Sequence, residues 1–563
     1  MFTCSAPWQA SHAKRVSNLT LPHGTHLLPA PPLILPHTCP PGQYPRPPGL
    51  RYVQGLGLIL RSILEQGVTR HGSFRGALAQ TASTHVEPAS NRAARTSPVA
   101  PLPQQLFGAI PLSTKSEEAR KSLELAWDKY ENAMYEPSAN LARQATNKDS
   151  QSALSYAMVS FAARRGMPDA SALAKAKALL PRATPDEQLL VRWMTAIQDR
   201  NLLPAIASMN DLLKRYPRDK HVLYVTGEWL FLQQDNDRAR TLLETALQVD
   251  PNFPAALNRL GYLYLDSSNP DRAKAIASLK RYAEIEPSSP NPQDSLGEVL
   301  REAGEDQGSL EHYRAALQID HAYISSQYGL GNTRTLMGDF AGARQEYDGA
   351  VPMAQNPMDE LYIKYLKALV YFWEGKHSDG RNELAALAKE AAEKKEPNSQ
   401  LQIGLAQAML AADPQSELEQ LKSLSAFLAK PLAGMNESDR GLNRAAVLRE
   451  HVRVAALQGQ SKDAEQAVSE LEALATASRD QLIQSYFESA RGYLLASKGD
   501  WGNAAEGLSA DQHSPLVLQQ LATVLEKLGK TADAQAARTC LKYHRSSEAE
   551  WFLATHRAAA AAN

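Results

Sequence analysis

The sequence predicts an all-α chain: an α-α superhelix, a solenoid of about a dozen helical hairpins, preceded by a disordered N-terminal tail. Three observations predict it. Small residues recur at a near-constant spacing of 34 to 36 positions through the middle of the chain. Apolar residues between them fall at helical spacing, and a proline closes most of the units. The first 112 residues show neither feature and are crowded with proline instead.

The spacing is carried by three ladders. Gly227, Gly261, Gly297 and Gly331 are separated by 34, 36 and 34 residues. Ala205, Ala239, Ala275, Ser309 and Ala343 follow at 34, 36, 34 and 34. Pro217, Pro251 and Pro287 lead to His321 at 34, 36 and 34. The surplus pair of residues is assigned to the turn Asp266–Pro270, where an insertion costs little loop entropy.

Each unit reads as two amphipathic helices. In residues 220–251, Leu223, Gly227 and Leu230 share one face, and Gln234-Asp235-Asn236-Asp237 supplies a polar turn. Ala239, Leu242, Leu243, Ala246 and Val249 mark the second helix, which Pro251 stops. Glycine and alanine have a mechanical reason here. A bulky side chain at Gly227 or Ala239 would push helix axes apart and cost about 1–3 kcal/mol in overpacking.

These residues resemble the tetratricopeptide repeat. The first-helix signature stands as Leu260-Gly261, Leu296-Gly297 and Leu330-Gly331, the turn as Gly338-Asp339-Phe340 and Gly499-Asp500-Trp501, and the end as Val249-Asp250-Pro251 and Ile285-Glu286-Pro287. Residues 218–355 are therefore read as core repeats. Degenerate hairpins flank them. Residues 113–217 keep Ala126, Tyr135, Ala142 and Ala145, with Trp193 in a glycine place, and residues 356–545 keep turns at Gly375, Gly459 and Gly529. The charged stretch Glu390–Asn398 is expected to be loop or frayed helix, and residues 546–563 a C-terminal capping helix. The region from 113 onward is similar to uncharacterised multi-repeat proteins of soil bacteria, a likeness that brings no activity with it.

Residues 1–112 read as a disordered, proline-rich segment, since fifteen of the 34 prolines lie in the first 110 residues. Leu56, Leu58, Ile59 and Leu60, with Ala77-Leu78-Ala79 before Gln80, suggest a secretion signal, but Arg61, Glu65 and Arg70 break its apolar run. An intact signal is not evident, so cytoplasmic and exported locations both stay open. A misassigned start would also give this pattern.

Charge and motifs narrow the function. Residues 1–110 carry nine Lys/Arg against two Asp/Glu, and the remainder 51 against 59, leaving the helical part at −8. That sign disfavours an RNA-binding repeat protein and leaves no nucleic-acid partner expected. No stretch reaches membrane-spanning length. Three cysteines, Cys4, Cys39 and Cys540, give no disulfide framework or metal pair, and His12, His23, His26 and His37 are scattered in the tail. Phosphate-loop, dinucleotide, zinc-protease and nucleophile-elbow motifs are absent, so no cofactor, metal or catalytic residue is assigned. The reading is a non-enzymatic scaffold that binds a protein or peptide of unidentified kind. The alternatives are a repeat region presenting substrate to an activity hidden from the sequence and, less favoured, RNA binding.

The family resemblance implies that first helices line a concave groove. Carried over position by position, its surface comprises Tyr224, Glu228, Asn258, Tyr262, Asp294, Glu298, Arg301, Tyr328 and Asn332. Asn258 and Asn332 are suited to a peptide backbone, and the tyrosines to flat apolar contact with a polar tip. The paired lysines and asparagines of a carboxylate clamp are not evident.

Overall fold

The computed structural model describes residues 110–163, 169–199, 201–233, 235–265, 270–433, 435–478 and 480–561, with side chains to His556. All of them lie in one compact unit, residues 49–563. The proline-rich tail up to residue 109, the signal-like stretch, the four tail histidines, Cys4, Cys39 and the insertion at Asp266–Asn269 fall outside the described residues, whereas Ile110, at the end of the segment read as disordered, is buried against the helices.

The described residues form twenty-five α-helices, arranged as twelve hairpins and a terminal helix. The first four hairpins are α1 (Glu117–Glu131) with α2 (Tyr135–Lys148), α3 (Ala153–Phe161) with α4 (Ala170–Leu179), α5 (Pro185–Gln198) with α6 (Leu202–Arg215), and α7 (Lys220–Leu232) with α8 (Asn236–Val249). The middle four are α9 (Pro254–Leu265) with α10 (Arg272–Ile285), α11 (Asn291–Glu302) with α12 (Asp306–Ile319), α13 (Ile324–Met337) with α14 (Phe340–Ala350), and α15 (Pro357–Trp373) with α16 (His377–Glu393). The last four are α17 (Pro397–Met409) with α18 (Pro414–Leu428), α19 (Glu437–Leu457) with α20 (Ser461–Ser478), α21 (Gln481–Ser497) with α22 (Trp501–Leu508), and α23 (Pro515–Lys527) with α24 (Thr531–Tyr543). Helix α25 (Ala549–Ala561) ends the described chain.

The glycine ladder occupies one recurring environment. A Cβ on Gly227, Gly261, Gly297 or Gly331 would sit 2.9, 2.5, 2.8 or 2.6 Å from Leu243, Leu279, Tyr313 or Tyr347, each on the second helix of the same hairpin. Gly492 meets Leu508 of its own hairpin in the same way, at 2.8 Å. The alanine ladder is equally enclosed: Ala205, Ala239, Ala275 and Ala343 are fully buried. Ser309, in an alanine place, satisfies its hydroxyl on Thr333 at 3.0 Å. Pro217, Pro251, Pro287 and His321 all follow the last turn of a second helix.

Turn chemistry fixes where one helix yields to the next. Gly338 takes φ +81°, which an L side chain resists, and Asp339 then accepts the Gly342 N–H at 3.0 Å to cap α14. Gly499 and Asp500 repeat the device before α22. The charged stretch Glu390–Asn398 differs from its sequence reading. Helix α16 continues through Glu393 and α17 starts at Pro397. Glu390 is held by Lys364 and Lys394, each at 2.8 Å, so its charges are paired across helices rather than left to fray.

First helices lie on the inside of the curve. They meet one another directly from hairpin to hairpin, as α9 does α11, α11 does α13 and α13 does α15. Their burial agrees: nine residues of α7 are buried against four of α8. The first turn of the superhelix is closed by Glu131 at the end of α1, which accepts from the Trp127 indole at 2.7 Å and pairs with His221 of α7 at 2.8 Å. Burial pulls the His221 pKa down, but the Glu131 carboxylate outweighs it and the net shift is upward. Among the described residues there is no β-strand, and no helix is long and apolar enough to cross a membrane.

Candidate peptide-binding groove

The nine residues assigned to the groove all lie on the inner helices α7, α9, α11 and α13, and most of them bridge one inner helix to the next. Glu228 of α7 takes Arg259 of α9 in a two-bond fork at 2.5 and 2.6 Å. Asn258 accepts from Ser295 at 2.9 Å, and Tyr262 donates to Glu298 at 3.0 Å. Asp294 accepts from Ser326 at 2.6 Å, and Tyr328 packs edge-on against Tyr362 of α15. Arg301 is buried between Glu298 and Glu302. Tyr224 lies under the end of α1, its hydroxyl donating to the Glu131 carbonyl at 3.3 Å. It is thus a packing residue of the superhelical turn. Asn332 accepts from Tyr347 at 2.7 Å and from Ser547 at 2.9 Å.

That last bond reaches across 215 residues and belongs to a segment the sequence reading treated only as a cap. Residues 544–548 run between α24 and α25 along the inner faces of α11, α13 and α15. Arg545 forks onto Asp306 and also donates to the Arg301 carbonyl at 3.0 Å. The Trp373 indole donates to the Ser547 carbonyl at 2.9 Å, and Tyr362 donates to Glu548 at 3.2 Å. Helix α25 then stacks Trp551 on Trp373 and sets Phe552 edge-on to the same ring. It packs on α23 of the last hairpin and also on α17, so it extends beyond capping into the interior.

Further along, the inner face is closed by charge. Arg449 of α19 is 0% exposed and bonds Asp511 at 2.6 Å, Glu450 at 2.9 Å and Glu550 of α25 at 3.2 Å. Arg453 joins Glu450 at 2.7 Å to Glu417 of α18 at 2.6 Å. Four acids thus face two guanidiniums. Burial pushes the Glu550 carboxyl up to about 7, against the pull of Arg449 and with the help of Glu450 and Asp511. In Glu450 burial acts the same way, but Arg453 and Arg449 outweigh it and lower the pKa. Every member of the cluster is buried, so it is sealed from solvent.

Sequence reasoning missed Asp306, Tyr362, Trp373, Arg545, Ser547 and the Arg449 cluster. One signal was present: Arg449-Glu450-His451-Val452-Arg453 sits between the apolar runs Ala445–Leu448 and Val454–Leu457, which marks charge inside a buried helix. Cys540 is buried beside Leu518. Among the described residues no cluster of His, Cys, Asp and Glu is arranged to hold a metal.

Residues 230–293, from the end of α7 into α11, match the family model described as the tetratricopeptide repeat. No curated protein matches the chain. Among solved structures, yeast Tom70 is 14% identical with a TM-score of 0.38, covering 76% of this chain and 96% of its own. MamA is 23% identical with a TM-score of 0.24, over 30% of this chain and 94% of that one. PilW, a widely conserved type IV pilus biogenesis factor, is 18% identical with a TM-score of 0.29, over 38% and 94%. The family match agrees with the ladder spacing and the shared setting of its glycines, and residues 230–293 carry the tetratricopeptide repeat.

Proposed function

We propose that the protein is a non-enzymatic scaffold whose inner, first-helix face binds an extended segment of a protein partner. One observation carries the reading: that face holds a stretch of polypeptide, residues 544–548, through bonds to its side chains and to a backbone carbonyl. Such contacts are what recognition of a peptide in a helical groove requires. Asn258, Asp294 and Glu298, half-buried on neighbouring inner helices, supply polar surface for a further stretch, with Tyr262 packed beneath them.

The test is affinity capture from source-cell lysate with the full chain, beside a Tyr262→Ala/Asn258→Ala variant of matched melting temperature. The reading expects a partner retained by the parent and lost by the variant. Partners retained equally by both would overturn it.

A further inference from the structure

We infer that residues 544–556 are an internal ligand of the groove, and that the α11–α13–α15 section recognises the extended segment Arg-x-Ser-Glu that this chain supplies as residues 545–548. The inference rests on the groove reading above and assigns it a sequence class.

The composition of the docked segment argues for it. A strap that only completes a core is apolar, because apolar burial is what stabilises a core. Here the stretch is His544-Arg545-Ser546-Ser547-Glu548, buried throughout except for the half-buried Arg545. The polar side chains named in the pattern have separate receptors spread over three consecutive hairpins. Arg545 has Asp306 and the carbonyls of Arg301 and Leu336, Ser547 has Asn332, and Glu548 has Tyr362. The arginine receptor combines one carboxylate with two helix-end carbonyls, since α11 ends at Glu302 and α13 at Met337. Helix C-termini carry partial negative charge, so this site selects a planar cation. Hydrogen bonds of this kind exchange for water at small net gain and strongly penalise a wrong partner. Specificity without large net stability is the chemistry of a displaceable occupant.

The anchor beyond the segment has the same character. Glu550 reaches Arg449, and Ser514 donates to the same carboxyl, while Trp551, Phe552 and His556 gather around Trp373. One indole therefore meets both the extended stretch, through the Ser547 carbonyl, and helix α25.

The experiment uses the full chain and a fluorescein-labelled synthetic peptide copying residues 542–556. In the wild type the internal segment competes with the probe. An Arg545→Ala/Ser547→Ala variant loosens that segment and leaves the receptor intact. It is expected to bind the probe at least ten-fold more tightly than wild type. Adding Asp306→Ala and Asn332→Ala to it is expected to abolish the gain, as is replacing the probe's arginine with alanine. A loosened variant of wild-type melting behaviour that ignores the probe overturns the inference, as does binding that survives loss of Asp306 and Asn332. Should the loosened variant fail to fold, hydrogen exchange on the wild type decides. Amides of 549–556 exchanging at least ten-fold faster than those of α13 support displacement, and exchange together with α13 overturns it. A partner lost on Tyr262→Ala/Asn258→Ala while the probe result fails would leave the scaffold function standing and remove only this assignment.

Discussion

At the scale of single residues, space decides what each ladder position tolerates. A methyl on Gly331 would meet the fully buried Tyr347 ring at 2.6 Å, with no room for the ring to retreat. Overpacking costs about 1–3 kcal/mol, and alanine returns about 1 kcal/mol of helix propensity. Gly331→Ala is therefore expected to lower stability by roughly 1–2 kcal/mol in denaturant unfolding. Gly441 in α19 has nothing within 4 Å of its Cβ position, so Gly441→Ala is expected to raise stability by about 0.5–1 kcal/mol. Equal effects at the two sites would contradict the packing account. Spacing made Gly331 legible in the sequence. The identity of the ring it faces was not, because contact across a hairpin depends on how two helices cross.

Glu550 supplies a pH dependence at the same scale. Its carboxyl, pushed up to about 7 by burial, faces Arg449 and Glu450 from α19, Asp511 from the α22–α23 turn and Tyr486 from α21. The ordinary value is 4.5, so between that and about 7 the folded chain holds a proton the unfolded chain has released. Stability therefore falls as pH rises through this window, by roughly 1.4 kcal/mol per unit at most. Glu550→Gln is expected to gain on the wild type between pH 5 and 7.5. Parallel pH–stability curves for the two proteins would contradict the assignment.

At the scale of elements, the turns set the hairpins. Six of them use glycine in the left-handed region, Gly338 among them, whereas Lys395 holds φ +57° between α16 and α17. A side chain there costs about 1–2 kcal/mol. Lys395→Gly is expected to stabilise the fold by about 1 kcal/mol, read as a shift in denaturation midpoint. Asp339→Ala removes the α14 cap and is expected to cost about 1 kcal/mol. Hairpins were legible wherever small residues and turn signals coincided. The Glu390–Asn398 stretch misled because its lysines and glutamates read as solvated charge, while Lys364, on α15 and 26 residues before Glu390, pairs with it in the fold.

At the scale of the whole molecule, the inner face is partly filled by the chain itself. The local repeat pattern identifies which helices turn inward. It says nothing about which distant segment comes to lie on them, since such contacts join residues more than 170 apart, as with Trp373 and Ser547. Hence the place of Glu228, Asn258, Asp294 and Asn332 on first helices followed from the family resemblance, and the arrival of Arg545 did not.

That arrival is tested most directly by a double-mutant cycle on Arg545 and Asp306, using Arg545→Ala, Asp306→Ala and both together. The two side chains are 239 residues apart in sequence and interact only if the C-terminal segment is seated on the inner face. The account predicts a coupling energy of about 1 kcal/mol or more. Effects that simply add, within roughly 0.3–0.5 kcal/mol, would contradict it.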